Sequence, residues 1–249
     1  MNFQKRKQRI LDQLNVSGEI EVRQLAAELS VSEITARRDL NQLALDGFLY
    51  RTHGGAMKVN PLDKPIDFIN KAAQNMVAKD NICRKAATHI QDGDIIFMDC
   101  GSTVFRLCQF IKNKKIKVIT NSIPVIYELQ HTMVSLNIIG GEFDTERLAV
   151  HGSIAHEHIL KYRAGKAFLG VDGISQNGLF ANSEKEAAIT TAFAKQSNYT
   201  YLLCDTSKID RETYLNFADL SLVNAIITDA DISKLEAIKE QGIAILLAD

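Results

Sequence analysis

The stretch SVSEITARRDLNQLALDG, residues 30–47, decides how the amino-terminal part of the chain folds. Ser32 is a good N-cap, because its hydroxyl can accept a hydrogen bond from an amide of the first helical turn. Gly47 is a good stop, because glycine tolerates the left-handed conformation that ends many helices. The stretch therefore predicts a helix from Glu33 to about Asp46.

This helix has one apolar and one polar face. At a rotation of about 100° per residue, the apolar face consists of Ala36, Leu40, Leu43 and Ala44. The opposite face consists of Ile34, Arg37, Arg38, Asn41 and Leu45. Arginine binds guanine or phosphate and asparagine reads adenine, so this face is typical of a helix in the DNA major groove. Asp39 lies between the faces and is not expected to contact a base. A solvated charged face is the alternative.

The flanking segments complete a winged helix-turn-helix. Apolar residues at helical spacing precede the polar-faced helix in two stripes: Ile10, Leu11, Leu14, then Val22, Leu25, Ala26 and Leu29. Residues 15–18, between the stripes, are predicted to form a turn. Residues 48–51 and 56–59 predict two short strands around THGG, residues 52–55. Three helices followed by a hairpin are the layout of this DNA-binding fold.

Proline marks the end of this part. Two of the three prolines, Pro61 and Pro65, fall within seven residues, and proline interrupts regular structure. We therefore expect a DNA-binding domain over residues 1–58, a linker over 59–74 and an α/β domain over 75–249.

Composition is that of a water-soluble globular chain. The 249 residues are 46% apolar and 24% charged, and no apolar run approaches the roughly 18 residues that span a bilayer. The basic start of the chain leads into no apolar segment, so we expect a cytoplasmic protein without a membrane partner. The net charge is −1, but basic residues cluster at Lys5-Arg6-Lys7 with Arg9, at Arg37-Arg38, and at Arg51 with His53 and Lys58.

Seven short apolar runs follow the prolines. They are separated mostly by helix-length gaps and comprise Ile95–Met98, Lys117–Ile119, Ser135–Ile139, Ala167–Val171, Tyr201–Cys204, Ala225–Ile227 and Ala244–Leu247. Continuously apolar strands alternating with helices predict a mainly parallel sheet buried on both faces, in a Rossmann-like α/β domain.

Glycines and polar residues gather directly after these strands, where open α/β sheets bind ligands. The segments are DCGST (99–103), TNS (120–122), GG (140–141), GVDG (170–173), DTSK (205–208) and TD (228–229). Gly101, Ser102 and Thr103 at a helix start suit an anion such as phosphate. Asp99, Asp172, Glu184 and Lys208 are candidates for contacts with sugar hydroxyls or phosphate. For each of these residues alone, capping or salt bridging is an equal alternative.

The four cysteines match neither a zinc pattern nor a Cys-x-x-Cys redox motif. We expect reduced buried thiols, with no metal and no cofactor. Cys100 is the one cysteine beside a candidate ligand loop, so it is the one to test for reactivity.

These segments resemble the DeoR family of bacterial sugar-catabolism regulators. In the first domain the resemblance rests on VSEITARRDL (31–40), Gly47 and RTHGGA (51–56), and the strand-end segments extend it with Gly152 and Glu184 in family order. It implies DNA contacts by Ser32, Thr35, Arg37 and Arg38 and wing contacts by Arg51 and His53. It implies a sensor domain similar to ribose-phosphate isomerase. It also implies an effector pocket built from Asp99, Gly101, Ser102, Thr103, Thr120, Asn121, Gly141, Asp172, Glu184 and Lys208.

One departure from the family pattern concerns specificity. The family has a small residue at position 34 and a larger aliphatic one at 36, whereas this chain has Ile34 and Ala36. An apolar side chain on the outer face can meet a thymine methyl group, so Ile34 is a candidate specificity residue. The alternative is that Ile34 packs against the first helix.

The expected function is a repressor of a sugar-catabolism operon that a phosphorylated sugar releases from operator DNA. Two DNA heads must meet two half-sites, so a homodimer or homotetramer is expected. The alternative is a sugar-phosphate isomerase-like enzyme, with Asp99, Asp172, Glu184 and Lys208 as acids and bases. A repressor that responds to a non-phosphorylated ligand differs only at Ser102 and Thr103.

Overall fold

The computed structural model describes residues 3–45, 48–52, 54–58, 71 and 74–248. The chain divides into two compact units, residues 1–74 and 75–249. Of the expected linker, residues 59–70 and 72–73 lie outside the described part of the chain. None of the described helices has the length and apolar character that crossing a membrane requires.

The first unit consists of three helices and a small antiparallel sheet. Its elements are α1 (Phe3–Ser17), β1 (Glu19–Glu21), α2 (Val22–Leu29), α3 (Glu33–Leu45), β2 (Leu49–Arg51) and β3 (Gly55–Lys58). The sheet order is β1-β3-β2. The predicted winged helix-turn-helix is therefore confirmed, with β1 as an added strand.

Two local details differ from the prediction. The turn expected over residues 15–18 is wrong, because α1 continues to Ser17 and only Gly18, at φ +78°, leaves the helix. Strand β1 was not predicted. Its partner strand approaches so closely that a Cβ on Gly55 would lie 1.8 Å from the carbonyl oxygen of Ile20, which explains the glycine at this position.

One apolar cluster holds the first unit together. Both predicted stripes of α1 and α2 and the apolar face of α3 contribute to it, through Ile10, Leu14, Val22, Leu25, Ala26, Leu29, Ala36, Leu40 and Leu43. Leu11 of the first stripe is only partly buried and lies outside the cluster. Fully burying one leucine side chain contributes about 1.5–3 kcal/mol. The cluster thereby fixes α3 with its other face outward.

The second unit is a parallel α/β fold. Its helices are α4 (Met76–Ala87), α5 (Ser102–Phe105), α6 (Cys108–Ile111), α7 (Ile123–Leu129), α8 (Ser153–Ile159), α9 (Glu184–Lys195) and α10 (Glu236–Lys239). Its strands are β4 (Ile95–Met98), β5 (Lys117–Thr120), β6 (Ser135–Ile138), β7 (Glu142–Asp144), β8 (Ala149–His151), β9 (Ala164–Leu169), β10 (Gly173–Ser175), β11 (Gly178–Ala181), β12 (Ser197–Leu203), β13 (Leu215–Ala218), β14 (Ala225–Thr228) and β15 (Ala244–Leu247).

Seven of these strands form one sheet of order β15-β14-β12-β9-β4-β5-β6, and every adjacent pair is parallel. They are the seven predicted strands. Alternate residues of each strand enter separate apolar clusters: Phe97 packs with Leu202 on one face, and Ile96 packs with Leu203 on the other. Because both faces are buried, the strands are continuously apolar in sequence.

Two smaller antiparallel sheets, β7-β8 and β10-β11-β13, were not predicted. They follow β6 and β9 in the chain, next to the carboxyl ends of the main sheet. His151 at the end of β8 and Asp172 before β10 belong to this added layer.

Candidate DNA-reading helix and ligand pocket

Helix α3 begins with the predicted cap. The backbone N–H of Thr35 donates to Ser32 Oγ at 3.2 Å, and the two side-chain hydroxyls lie 3.0 Å apart. A serine N-cap is worth about 1 kcal/mol to a helix. Both residues are candidate DNA contacts, and their first role in the free protein is to start the helix.

Among the described side chains, the two faces of α3 are those predicted; the side chain of Leu45, predicted on the outward face, lies outside the described part. Ile34 is 80% exposed, so the alternative in which it packs against α1 is excluded. Arg37, Arg38 and Asn41 are also exposed on this side. An 80% exposed isoleucine has no stabilising role in the free protein.

A carboxylate sits among the exposed cations. Glu33 lies 3.5 Å from Arg37 and 3.7 Å from Arg23, measured between charged atoms. Both pairs are well exposed, and such pairs contribute about 0–1 kcal/mol. Glu33 therefore holds these two arginines only weakly, and both remain exposed.

Part of the basic cluster near the amino terminus faces inward. Arg6 makes a two-point contact with Asp39, with Nη2 donating to Oδ1 at 3.0 Å and Nε donating to Oδ2. Lys7 places its Nζ 3.6 Å from the ring centre of Phe48. Arg6 and Lys7 are thus engaged within the first unit. The clustering of basic residues in the sequence therefore overestimates how many cations α1 presents to its surroundings.

The wing is only partly described. Arg51 lies in β2, with its side chain outside the described part, and His53 lies outside the described residues altogether. Their roles as wing contacts stay predictions.

In the second unit, a buried lysine meets the predicted anion loop. Helix α5 begins at Ser102, and Lys79 of α4 places its Nζ 3.4 Å from Ser102 Oγ. Lys79 is only 4% exposed, and burial lowers its pKa to about 8. The neighbouring cations Lys208 and Arg106 lower this pKa further, while Asp205 raises it.

Sequence reasoning missed Lys79. It lies on a helix ahead of the first strand, and no strand-end segment contains it. A single lysine on a helix is normally solvated, and here only the packing of α4 reveals its burial.

Asp99, directly after β4, is buried, and its carboxylate accepts hydrogen bonds from several elements. Its Oδ1 accepts the N–H of Cys100 at 2.7 Å, and its Oδ2 accepts from Thr190 Oγ1 at 3.0 Å and the Gly170 N–H at 3.4 Å. Burial raises its pKa, against the effect of these hydrogen bonds. The carboxylate thus ties β4, β9 and α9 together at the rim of the sheet.

The residues that follow the neighbouring strands are also fixed by hydrogen bonds or close packing. Thr120 is buried and donates through Oγ1 to the Met98 carbonyl at 2.7 Å. Asn121 is buried and donates through Nδ2 to the Val150 carbonyl at 3.0 Å. Gly141 has φ +154°, and a Cβ there would lie 2.7 Å from the His151 carbonyl, so only glycine fits. These residues lie at the carboxyl end of the main sheet, where the sequence predicts the pocket, and we call them the floor.

The remaining predicted pocket residues each have contacts within the second unit. Gly101 approaches Gly170 so closely that a Cβ on Gly101 would be 3.4 Å from the Gly170 Cα. Thr103 is buried, and its carbonyl accepts from the Cys83 thiol at 3.1 Å. Asp172 accepts the Asn182 N–H at 2.9 Å. Glu184 is exposed and accepts from the Tyr214 hydroxyl at 3.4 Å.

All four cysteines are buried free thiols. Burial raises the pKa of Cys100 well above its ordinary value. Since the thiolate is the reactive form, burial and the raised pKa both disfavour reaction of Cys100 as a nucleophile.

A winged helix-turn-helix with an outward arginine face, followed in one chain by an α/β unit with polar strand ends, defines a DNA-binding transcription regulator with a sensing part. The DeoR-like helix-turn-helix domain matches residues 6–61, and the DeoR C terminal sensor domain matches residues 74–230. The chain belongs to the DeoR family.

Relatives match along nearly the whole chain. A lactose phosphotransferase system repressor from Lactococcus lactis subsp. lactis is 38% identical over 240 residues, 94% of this chain and 93% of that protein. One of the same name from Streptococcus mutans is 32% identical over 245 residues, 96% and 98% of the two chains. Ribose 5-phosphate isomerase A from Methanocaldococcus jannaschii is similar at a TM-score of 0.41 and 17% identity, covering 54% of this chain and 55% of that one.

Proposed function

We propose that this protein represses a sugar-utilisation operon and that a phosphorylated sugar releases it from operator DNA. The names of the relatives from Lactococcus lactis and Streptococcus mutans support repression of a sugar system. The outward face of α3 supports DNA binding, and the buried cation beside the α5 loop supports a phosphorylated ligand.

The DNA contacts that we propose lie on α3 and the wing: Ser32, Ile34, Thr35, Arg37, Arg38, Asn41, Arg51 and His53. Arg37 and Arg38 supply charge for phosphates or guanine, and Asn41 supplies a donor and an acceptor for adenine. Since a helix-turn-helix head covers one half-site, a homodimer or homotetramer is part of the proposal.

Lys79 is the observation that carries the ligand assignment. A buried ammonium is costly. Asp205 compensates part of this cost, while Lys208 adds positive potential at the same place, which favours a further anion. Ser102 Oγ, 3.4 Å from Lys79, is a ready hydrogen-bond donor to a phosphate oxygen. We infer that the phosphate of the ligand lies against Lys79, Ser102 and Lys208.

The sugar part of the ligand would then extend over the neighbouring strand ends. The residues that we assign to it are Asp99, Gly101, Thr103, Thr120, Asn121, Gly141, Asp172 and Glu184. Several of these side chains are already held by hydrogen bonds within the protein, so their contribution is to shape the cavity as well as to bind.

The test is operator release by a panel of phosphorylated and plain sugars. A fluorescently labelled fragment of the operon's promoter is bound by the full-length protein, and anisotropy follows its release. Lys79→Met should bind the fragment normally and fail to release it, whereas Lys85→Met, exposed on the same helix, should behave as wild type. Release of Lys79→Met by the same phosphorylated sugar would refute the pocket.

The isomerase-like alternative makes a different prediction. An enzyme would interconvert pentose or hexose phosphates, and Lys208→Ala would abolish the turnover. We propose a regulator without catalysis, so neither the wild type nor the variant should convert any sugar phosphate above the buffer rate.

A further inference from the structure

Three metal-ligating side chains from distant parts of the chain meet at the carboxyl end of the main sheet. They are Cys100 after β4, His151 at the end of β8 and Glu186 in the first turn of α9. One donor atom from each lies within 4.8 Å of the other two, and Cys100 Sγ is 4.0 Å from His151 Nε2. No spacing motif links positions 100, 151 and 186, so the sequence alone cannot show the cluster.

The separations suit a tetrahedral ion better than direct contacts. Zinc bound to one sulfur and one nitrogen holds these atoms about 3.6 Å apart, given its usual bond lengths. The observed 4.0 Å needs a contraction of a few tenths of an ångström, and it is long for a thiol–imidazole hydrogen bond. A thiol, an imidazole and a carboxylate form a mixed donor set that zinc-class ions accept.

The buried polar atoms here are incompletely satisfied. His151 is 1% exposed, and its Nδ1 has no hydrogen-bond partner among the described residues. The Oδ1 of fully buried Asn121 also has no partner within the described part of the chain, and the Asn121 side chain neighbours the Cys100 thiol. Buried polar atoms are normally paired, so Asn121 Oδ1 is a candidate for a further metal ligand. Nδ1 lies on the side of the imidazole ring away from Nε2, the atom that faces Cys100.

The surroundings hold the ligands in place. Arg147 Nη2 lies 3.1 Å from Glu186 Oε2, a contact that orients the carboxylate. The Glu186 N–H donates to Ser183 Oγ at the start of α9. The Cys100 N–H donates to Asp99. Such supporting contacts orient metal ligands in known sites.

We propose that Cys100, His151 and Glu186 bind one divalent transition ion of the zinc class, with a fourth position open to Asn121, solvent or a ligand oxygen. On binding, the Cys100 S–H proton passes to solvent and a sulfur–metal bond replaces it, with no change in oxidation state. The site adjoins the sugar-binding floor but does not depend on the effector for its existence.

Cobalt spectroscopy on untagged, chelator-treated, reduced full-length protein tests this site. One equivalent of Co²⁺ should produce a thiolate-to-cobalt charge-transfer band and tetrahedral visible bands, and Zn²⁺ should displace them. Cys100→Ser should abolish the charge-transfer band. His151→Gln and Glu186→Gln should weaken binding at least about 100-fold, since losing even a supporting contact costs 10- to 100-fold. Cys204→Ser, a buried thiol outside the cluster, should retain full binding.

A second measurement uses only the wild-type protein, so it does not depend on whether a variant folds. X-ray absorption of the zinc-loaded wild type should show one sulfur together with nitrogen or oxygen neighbours. A coordination shell without sulfur, or a cobalt spectrum unchanged in Cys100→Ser, would overturn the proposal. So would wild-type protein that binds neither ion.

Discussion

Arg6 in α1 and Asp39 in the middle of the DNA-reading helix α3 are joined by a two-point ion pair across 33 positions of sequence. Asp39 is 4% exposed, and the Arg6 side chain is largely buried too. The pair sits on the flank of α3, between its apolar and its outward face. It therefore sets how α3 lies on α1, and with it the direction in which Arg37 and Arg38 project.

Removing Arg6 should destabilise the first unit. Arg6→Ala leaves the Asp39 carboxylate buried without its partner, and breaking a buried pair on one side costs about 3–5 kcal/mol. Because Arg6 is partly accessible, we expect a loss of about 2–3 kcal/mol. Hydrogen exchange of α1 and α3 peptides measures it, and Arg9→Ala, exposed on the same helix, is the control.

A double variant distinguishes a role of Arg6 in positioning α3 from a direct contact of its charge with DNA. Arg6→Leu with Asp39→Leu should recover much of the lost stability, because an apolar pair of similar volume needs no compensation. If Arg6 instead acted by contacting DNA, the double variant would recover no operator affinity.

The strands of the main sheet were predictable from sequence because burial on both faces imposes continuous apolar runs. Strands such as β1, with Ile20 alone buried between two glutamates, are too short to show a period. The β10-β11-β13 layer was missed because its strands, GIS, GLFA and LNFA, contain glycine and polar residues and form no continuous apolar run. The candidate site was also only partly predictable. The strand-end segments of the sequence indicated Ser102 and Asn121. The burial of Lys79 and the proximity of Cys100 to His151 arise from tertiary packing, which the sequence pattern does not show.

Neutralising an outward arginine should weaken operator binding. Arg38→Ala should reduce affinity, and if the contact is to phosphate, the slope of log affinity against log salt should fall by about one unit. Thermal stabilisation by the effector should be unchanged. The matched control is Arg84→Ala, exposed on α4 of the other unit. Equal affinity of Arg38→Ala and wild type at every salt concentration would exclude the contact.

Removing the carboxylate among these cations should have the opposite effect. Glu33→Gln releases Arg37 and Arg23 from their weak pairs, so DNA affinity should rise by up to about fivefold, the equivalent of about 1 kcal/mol. Anisotropy at low salt measures the change. Glu28→Gln, exposed on α2, should leave affinity unaltered. A decrease for Glu33→Gln would mean that Glu33 itself contacts the DNA.

Ile34 should determine the preference at one operator position. Ile34→Ala removes an exposed apolar group that can meet a thymine methyl, so selection from a randomised operator should lose thymine preference there. Stability should hardly change, because the side chain is 80% exposed. An unchanged selection would mean that Ile34 reads no base.

Lys79 gives the second unit a specific dependence on pH. Its folded pKa is about 8, below the ordinary value of 10.5, so between these values the unfolded chain binds more protons than the folded one. Stability from this group therefore rises as pH increases from about 8 to 10.5, and the full penalty of burying the charge applies below pH 8. Lys79→Met should be more stable than wild type at pH 7, and the difference should shrink as pH rises.

Ligand binding should show the reverse trend with pH. A phosphate favours the charged form of Lys79, so effector affinity of the wild type should fall as pH rises through about 8. Calorimetric titration at several pH values measures this, with melting curves of wild type, Lys79→Met and Lys85→Met alongside. A flat wild-type affinity together with a pH-independent stability difference would show that folding leaves the pKa of Lys79 unshifted and that its charge does not hold the ligand, so the phosphate would have to bind elsewhere.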